Sequence, residues 1–211
     1  MAKESANSNY GVLIGISHSQ ASGGKVQVNG DNTARLMASI LKNAGWDRKN
    51  IKLLTNRQAT HQAVLDAVDW LKTIESEGST IVVMFACHGA STGVRLWDMM
   101  LPHRYIKDYL SALKSQKQLV IIATCQSGGA VIEGFDGITL AEENRIVITS
   151  CSEGTVDPCT ARYTRWAEAF LLQGIKEGKA DANGDGRVSI QEAFKYAGSR
   201  MLDNYGQEFY L

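Results

Sequence analysis

Two side chains in this sequence have the makings of a nucleophile and its base: Cys125 and His88. A free thiol, with a pKa of about 8.5, is mostly protonated at neutral pH, and the thiolate is the species that attacks. An imidazole within reach takes that proton and later returns one to a leaving amine. Both residues are followed closely by glycine, in Cys87-His88-Gly89-Ala90 and in Ala123-Thr124-Cys125-Gln126-Ser127-Gly128-Gly129. Glycine frees the main chain to turn, so N–H groups there can face the oxyanion of a tetrahedral intermediate. A cysteine at a strand end is more often simple packing, so the weight rests on the pair.

Two apolar runs carry these residues. Thr80–Ala86 leads into His88, and Leu119–Ala123 leads into Cys125. Both are short, unbroken and rich in Val and Ile, which reads as strands buried on both faces of a parallel sheet. In such sheets ligands bind outside the carboxyl ends of the strands. If the two strands are neighbours, imidazole and thiol face one crevice.

The flanking segments supply the rest of an α/β series. Residues 1–9 read as a disordered tail and Tyr10–Ile16 as the first core strand, followed by a polar loop over Ser17–Asn32 that borders the crevice. Apolar residues at Leu36, Met37, Ile40, Leu41 and Ala44 have helical spacing, with Gly45 as the stop. Ile51–Leu54 is a short strand. Ala59–Glu77 is an amphipathic helix with Thr60 as its N-cap. Tyr105–Leu113 is a helix between the two reactive strands, Arg145–Ser150 a further strand, and Tyr163–Lys176 a long helix. Alternating strands and helices predict right-handed crossovers and a largely parallel sheet. His18, His61 and His103 are the other histidines. His103, at the start of the crossover helix, is the rival base to His88.

Residue order narrows the chemistry. All four histidines precede Cys125, whereas papain-like proteases, class I amidotransferases and α/β-hydrolases place the nucleophile before the histidine. A His-Gly ending one strand and an Ala-Cys-x-Ser-Gly-like motif ending the next resembles the caspase, metacaspase and legumain group of cysteine peptidases, over roughly residues 10–177. The resemblance implies a caspase-like three-layer α/β/α sandwich with a mostly parallel central sheet. It implies a cysteine endopeptidase with Cys125 as nucleophile, His88 as general base and acid, and the Gly89 and Cys125 N–H groups as oxyanion donors. In legumain-like members an Asn after the first strand steadies the histidine, a part open here to Asn29 or Asn32. Metacaspases and legumains often carry an acid two residues before the cysteine, where this chain has Ala123. The charge that would read an Arg or Lys at P1 then falls to Asp31, Glu153 or Asp157, while Arg162 and Arg165 would suit an acidic P1. A non-catalytic calcium-binding relative and a transpeptidase using the same acyl-enzyme remain alternatives.

Near the C-terminus, residues 181–192 match an EF-hand loop. Asp181, Asn183 and Asp185 occupy positions 1, 3 and 5, and Gly186 sits at the sharp turn. Arg187 offers a carbonyl, Ser189 a hydroxyl, and Glu192 a bidentate carboxylate. Ca²⁺ is therefore the expected cofactor, and residues 178–211 are expected to form an EF-hand-like loop and helix packed on the same domain. Bulk properties exclude other classes. With 22 basic and 22 acidic residues and no basic run, nucleic acid is not an expected partner. No apolar run reaches the ~18 residues that span a membrane, and the first residues lack an apolar signal region. The four cysteines form no Cys-x-x-Cys pair, which points away from zinc and redox dithiols. The expectation is a cytoplasmic protein with reduced thiols that acts on proteins or peptides.

Overall fold

The structure, a computed structural model, describes residues 8–18, 28–132 and 137–205, with the side chains of 202–205 left aside. Most of the expected N-terminal tail and part of the loop after the first strand lie outside the described residues.

Five parallel strands form the central sheet: β1 (Asn9–Gly15), β2 (Ile51–Thr55), β3 (Thr80–Ala86), and two strands that come after a small antiparallel insertion. The insertion comprises β4 (Gly89–Ala90), β5 (Gly93–Arg95) and β6 (Met100–Pro102). The later sheet strands are β7 (Lys117–Ala123) and β8 (Arg145–Thr149), and the order across the sheet is β2-β1-β3-β7-β8. The helices are α1 (Gly30–Asn43), α2 (His61–Ile74), α3 (His103–Ser111), α4 (Arg165–Ala167) continuing directly as a π-helix (Glu168–Lys176), and α5 (Ile190–Tyr205).

Alternation along the strands builds two cores. Ile81, Val83 and Phe85 of β3 join Val12, Ile14, Val120 and Ile122 against Val64 and Leu71 of α2 and Ile106 and Leu110 of α3. The intervening Val82 and Met84 join Leu13, Ile121 and Ile148 against Leu36, Met37 and Leu41 of α1, Trp166, Phe170, and Ala193, Ala197 and Met201 of α5. Both faces of the sheet are thus covered, which is why these strands show no polar alternation in sequence. Trp166 and Phe170 stack with ring centroids 4.7 Å apart.

Local signals act as expected at the helix ends. The Thr60 hydroxyl accepts the Ala63 N–H at 3.2 Å. Gly45, at φ +86°, closes α1. There the Trp46 N–H reaches the Leu41 carbonyl and the Gly45 N–H reaches that of Lys42, the paired bonds of a glycine C-cap. The helix expected over Tyr105–Leu113 begins earlier, at His103, because Pro102 ends β6 and serves as its N-cap. The β4–β6 insertion is an addition to the expected elements. Val94, Leu96 and Leu101 bury completely within it, so this short ribbon seals the end of the first core. Among the described residues no helix is long and apolar enough to cross a membrane.

Candidate active site

Register decides whether the two reactive residues meet. In β3 and β7, Ala86 pairs with Ala123. His88 and Cys125 each lie two residues beyond that pair, just past the carboxyl ends of adjacent strands. Neighbouring strands lie about 4.8 Å apart. The Cys87 N–H donates to the Ala123 carbonyl at 3.3 Å, which carries the pairing one step past the last ladder residue.

Gly89 closes the contact between the two ends. A Cβ on Gly89 would overlap the Thr124 hydroxyl, come within 2.6 Å of Thr124 Cβ and sit 3.0 Å from the Cys125 carbonyl oxygen. Only glycine lets the main chain after His88 lie this close to the cysteine turn. Behind Cys125 the chain reverses at Gln126, a non-glycine residue in the left-handed region at φ +57°, which costs about 1 kcal/mol. The turn is held from both sides: the Gln126 N–H donates to the Thr155 carbonyl at 2.8 Å, and the Gln126 side-chain oxygen accepts the Ser91 N–H at 3.2 Å. The Ser127 hydroxyl accepts the N–H groups of Ser150 and Cys151 at 3.0 and 3.1 Å. Ser127 thus staples the end of β8 beneath the cysteine.

Electrostatics favour a neutral resting pair. Burial, and then the nearby Arg95 guanidinium, hold the half-buried His88 imidazole below its usual pKa. Its Nε2 is buried without a hydrogen-bond partner. Burial pushes the Cys125 thiol up; the backbone N–H of Asp157 opposes this, and the charges of Cys151, Asp157 and Cys159 add to it. A thiol and a neutral imidazole, rather than an ion pair, result from these directions, and the imidazole is free to accept a proton as the sulfur attacks. Cys87 is a different case. It is fully buried, and its pKa is pushed up to about 12, chiefly by burial, so it packs rather than reacts.

The remaining predicted residues separate. The Asn29 side chain donates to the Thr160 carbonyl at 2.9 Å and that of Asn32 to the Arg162 carbonyl at 3.2 Å. Both therefore tie the start of α1 to the segment after β8 instead of holding His88. Asp31 accepts from the Ser17 hydroxyl and from the Asn56 side chain at 3.3 Å, at the ends of β1 and β2. Glu153 is exposed after β8. Asp157, by contrast, is only 4% exposed and turns inward toward α4, where Oδ1 accepts the Trp166 N–H at 3.4 Å. His103 is completely buried. The β4–β5 ribbon adds Arg95, whose N–H donates to the His88 carbonyl at 2.8 Å. Its alternating Gly93-Val94-Arg95-Leu96 is the one signal in sequence that points to it.

In residues 181–192 the carboxylates bond to the loop's own main chain. Asp181 accepts the N–H groups of Gly184 and Gly186 at 2.8 and 2.9 Å, Asp185 that of Arg187 at 2.8 Å, and Glu192 that of Ser189 at 2.9 Å. Gly184 and Gly186 have φ of +75° and +79°, and α5 starts at the tenth loop position. Among the described residues no three His, Cys, Asp or Glu side chains converge as a metal cluster. The loop's donor set is instead mixed, with Asn183, Ser189 and the Arg187 carbonyl completing three carboxylates. Those are hard oxygens of the kind Ca²⁺ takes.

Comparison with known proteins places this arrangement. The family described as the caspase domain matches residues 9–201. No curated protein matches the chain in sequence. Among solved structures, a Geobacter sulfurreducens protein superposes with a TM-score of 0.70 at 17% identity, covering 96% of this chain and 92% of that one. Caspase-1 from Spodoptera frugiperda superposes with a TM-score of 0.63 at 12% identity, covering 97% and 83%. At these identities the two structures speak to the fold alone.

Proposed function

This chain belongs to the caspase-domain family, a family of cysteine peptidases, and on that footing we propose that it is an endopeptidase with Cys125 as nucleophile and His88 as general base and acid. The observation that supports the reading is the register: β3 and β7 are neighbours paired through Ala86–Ala123, and His88 and Cys125 each follow two residues later. His88 takes the thiol proton as Cys125 Sγ attacks the scissile carbonyl carbon. The resulting oxyanion accepts from the Gly89 and Cys125 N–H groups. The imidazolium then protonates the leaving amine, the C–N bond breaks, and a thioester remains. Water, deprotonated by His88, attacks that thioester and frees the carboxylate product and the thiol.

For the P1 residue we favour Arg or Lys. Asp31 at the start of α1 and the exposed Glu153 after β8 follow sheet strands and support a basic P1 side chain. The loop at 181–192 is proposed to bind one Ca²⁺, with Asp181, Asp185 and Glu192 turning from main-chain N–H groups to the ion and Asn183, Ser189 and the Arg187 carbonyl completing the shell.

A fluorogenic peptide panel with Arg, Lys, Asn or Asp at P1 tests the reading, beside Cys125→Ala and His88→Ala. Hydrolysis that both substitutions abolish, strongest with Arg or Lys, is the expected result. Hydrolysis that survives Cys125→Ala overturns it.

A further inference from the structure

Gln126 directly follows Cys125, yet the chemistry above gives its side chain nothing to do. Its φ of +57° puts it in the left-handed region, which among the described residues only one other non-glycine residue, Asn56, enters. Glycine takes up that conformation without strain, so stability alone does not call for glutamine here. Strained residues of this kind persist where their surroundings hold them, and they gather at functional sites.

Three polar groups hold the residue. Its N–H donates to the Thr155 carbonyl at 2.8 Å, and its carbonyl accepts the Gly129 N–H at 3.2 Å. Glycine would make both of these main-chain bonds equally well. The third bond needs a side chain: the Gln126 Oε1 accepts the Ser91 N–H at 3.2 Å. Ser91 lies three residues after His88, in the turn between β4 and β5. This bond therefore crosses from the cysteine turn to the histidine turn. The same two turns touch where Gly89 meets Thr124 and where a Cβ on Gly129 would overlap the Ser91 carbonyl oxygen. Those glycine contacts set how near the turns come, and the hydrogen bond limits how far they part.

Resting on the reading of Cys125 as nucleophile and His88 as base, we propose that Gln126 is a positioning residue: its side-chain oxygen, on the Ser91 N–H, holds the cysteine turn against the histidine turn. Loss of the bond lets the two turns separate, and a misplacement of about 1 Å lowers rate about 100-fold.

The test compares wild type with Gln126→Gly, Gln126→Met and Gln126→Glu on the full chain. Gln126→Gly should leave the urea midpoint close to that of wild type, because relief of the left-handed strain offsets the lost bond. Its kcat on the best peptide of the panel should nevertheless fall at least about tenfold, with KM within about threefold. Gln126→Met keeps the side-chain length and deletes the acceptor, so it carries the test if glycine loosens the turn. Gln126→Glu restores an oxygen for the Ser91 N–H and should recover kcat to within about threefold at the plateau of its pH profile. Cys125 alkylation by iodoacetamide reads the same coupling without peptide turnover. His88→Ala should slow it at pH 7 at least about threefold, Gln126→Gly by a similar factor, and the double variant no further. Wild-type kcat and labelling in Gln126→Gly, no recovery in Gln126→Glu, or losses that multiply with those of His88→Ala overturn the proposal. Coupled labelling in a chain that hydrolyses nothing keeps the inference and loses the peptidase reading. Labelling indifferent to both His88 and Gln126, with no hydrolysis, overturns both.

Discussion

Gly89→Ala is the perturbation that bears most on how the two strand ends work together. The added Cβ would overlap the Thr124 hydroxyl and sit 2.6 Å from Thr124 Cβ, with the Cys125 carbonyl oxygen at 3.0 Å. Carbon pairs are comfortable at about 3.5–4.0 Å, so residue 89 and the cysteine turn must part by roughly 1 Å. Overpacking of this kind costs about 1–3 kcal/mol of stability. Its effect on rate is larger. A misplacement of about 1 Å lowers rate about 100-fold, and losing one oxyanion donor costs about 10²–10³ in kcat, or about 2.7–4 kcal/mol. The assay is kcat/KM on the best peptide of the panel, with iodoacetamide labelling as a control that the thiol remains reactive. Thr124→Gly deletes the two atoms struck first, so adding it to Gly89→Ala should recover at least about tenfold, a positive coupling in a double-mutant cycle. If Gly89→Ala keeps kcat/KM within threefold of wild type, the Gly89 N–H is not an oxyanion donor. If it loses activity and Thr124→Gly restores nothing, the loss does not arise from this contact.

The buried and charged groups make further predictions. Because burial and Arg95 hold His88 below its usual value, it stays neutral and able to act as a base below pH 6.5. The acid limb of kcat/KM should therefore have its midpoint under 6.5, the ordinary histidine value, and a midpoint at 7 or above contradicts this. Asp157 has a folded pKa of about 7 against 3.8 for the ordinary group. Between these values the native state binds more protons than the unfolded chain, so stability is greatest below pH 4 in this respect and falls as pH rises to 7. The difference is roughly 4 kcal/mol as an order of magnitude. Urea titrations of wild type and Asp157→Asn at pH 5 and 8 should show the loss in wild type alone. The Arg145 side chain is fully buried, donating to Gln118 at 3.0 Å, to the Leu140 carbonyl at 2.7 Å and to Glu142 at 3.3 Å. Arg145→Met should cost about 1–3 kcal/mol in chemical denaturation, because the buried Gln118 oxygen and Leu140 carbonyl lose their donor while the exposed Glu142 returns to solvent. Ca²⁺ at 100 times its Kd should stabilise the chain by about 2.7 kcal/mol; Glu192→Gln should remove most of this, and a melting temperature indifferent to Ca²⁺ rejects the loop as a site.

The sheet strands and their reactive ends are legible in the sequence for a physical reason. A strand buried on both faces excludes polar residues, so Thr80–Ala86 and Leu119–Ala123 stand out as apolar runs, and a parallel sheet gathers the residues after each run along one edge. Capping chemistry is equally local: Thr60 and Gly45 act within four residues of themselves. The β4–β6 ribbon escapes because its strands are two or three residues long and carry too little alternation to register. The roles of Asn29 and Asn32 escape for a different reason. Each bonds a carbonyl some 130 residues away, and nothing in the spacing along the chain encodes that partner. Asp157 reads as a loop acid in sequence; its burial depends on how the segment after β8 folds over α4, which only tertiary packing fixes.

Trapping the acyl-enzyme tests the central pairing most directly. The chain is mixed with an activated ester of the preferred peptide, quenched in acid within one turnover, and mapped by mass spectrometry. A thioester on Cys125, formed at least about 100-fold more slowly in His88→Ala, is the predicted result. Acylation of Cys87, Cys151 or Cys159 in its place, or formation on Cys125 at the same rate without His88, would contradict the account.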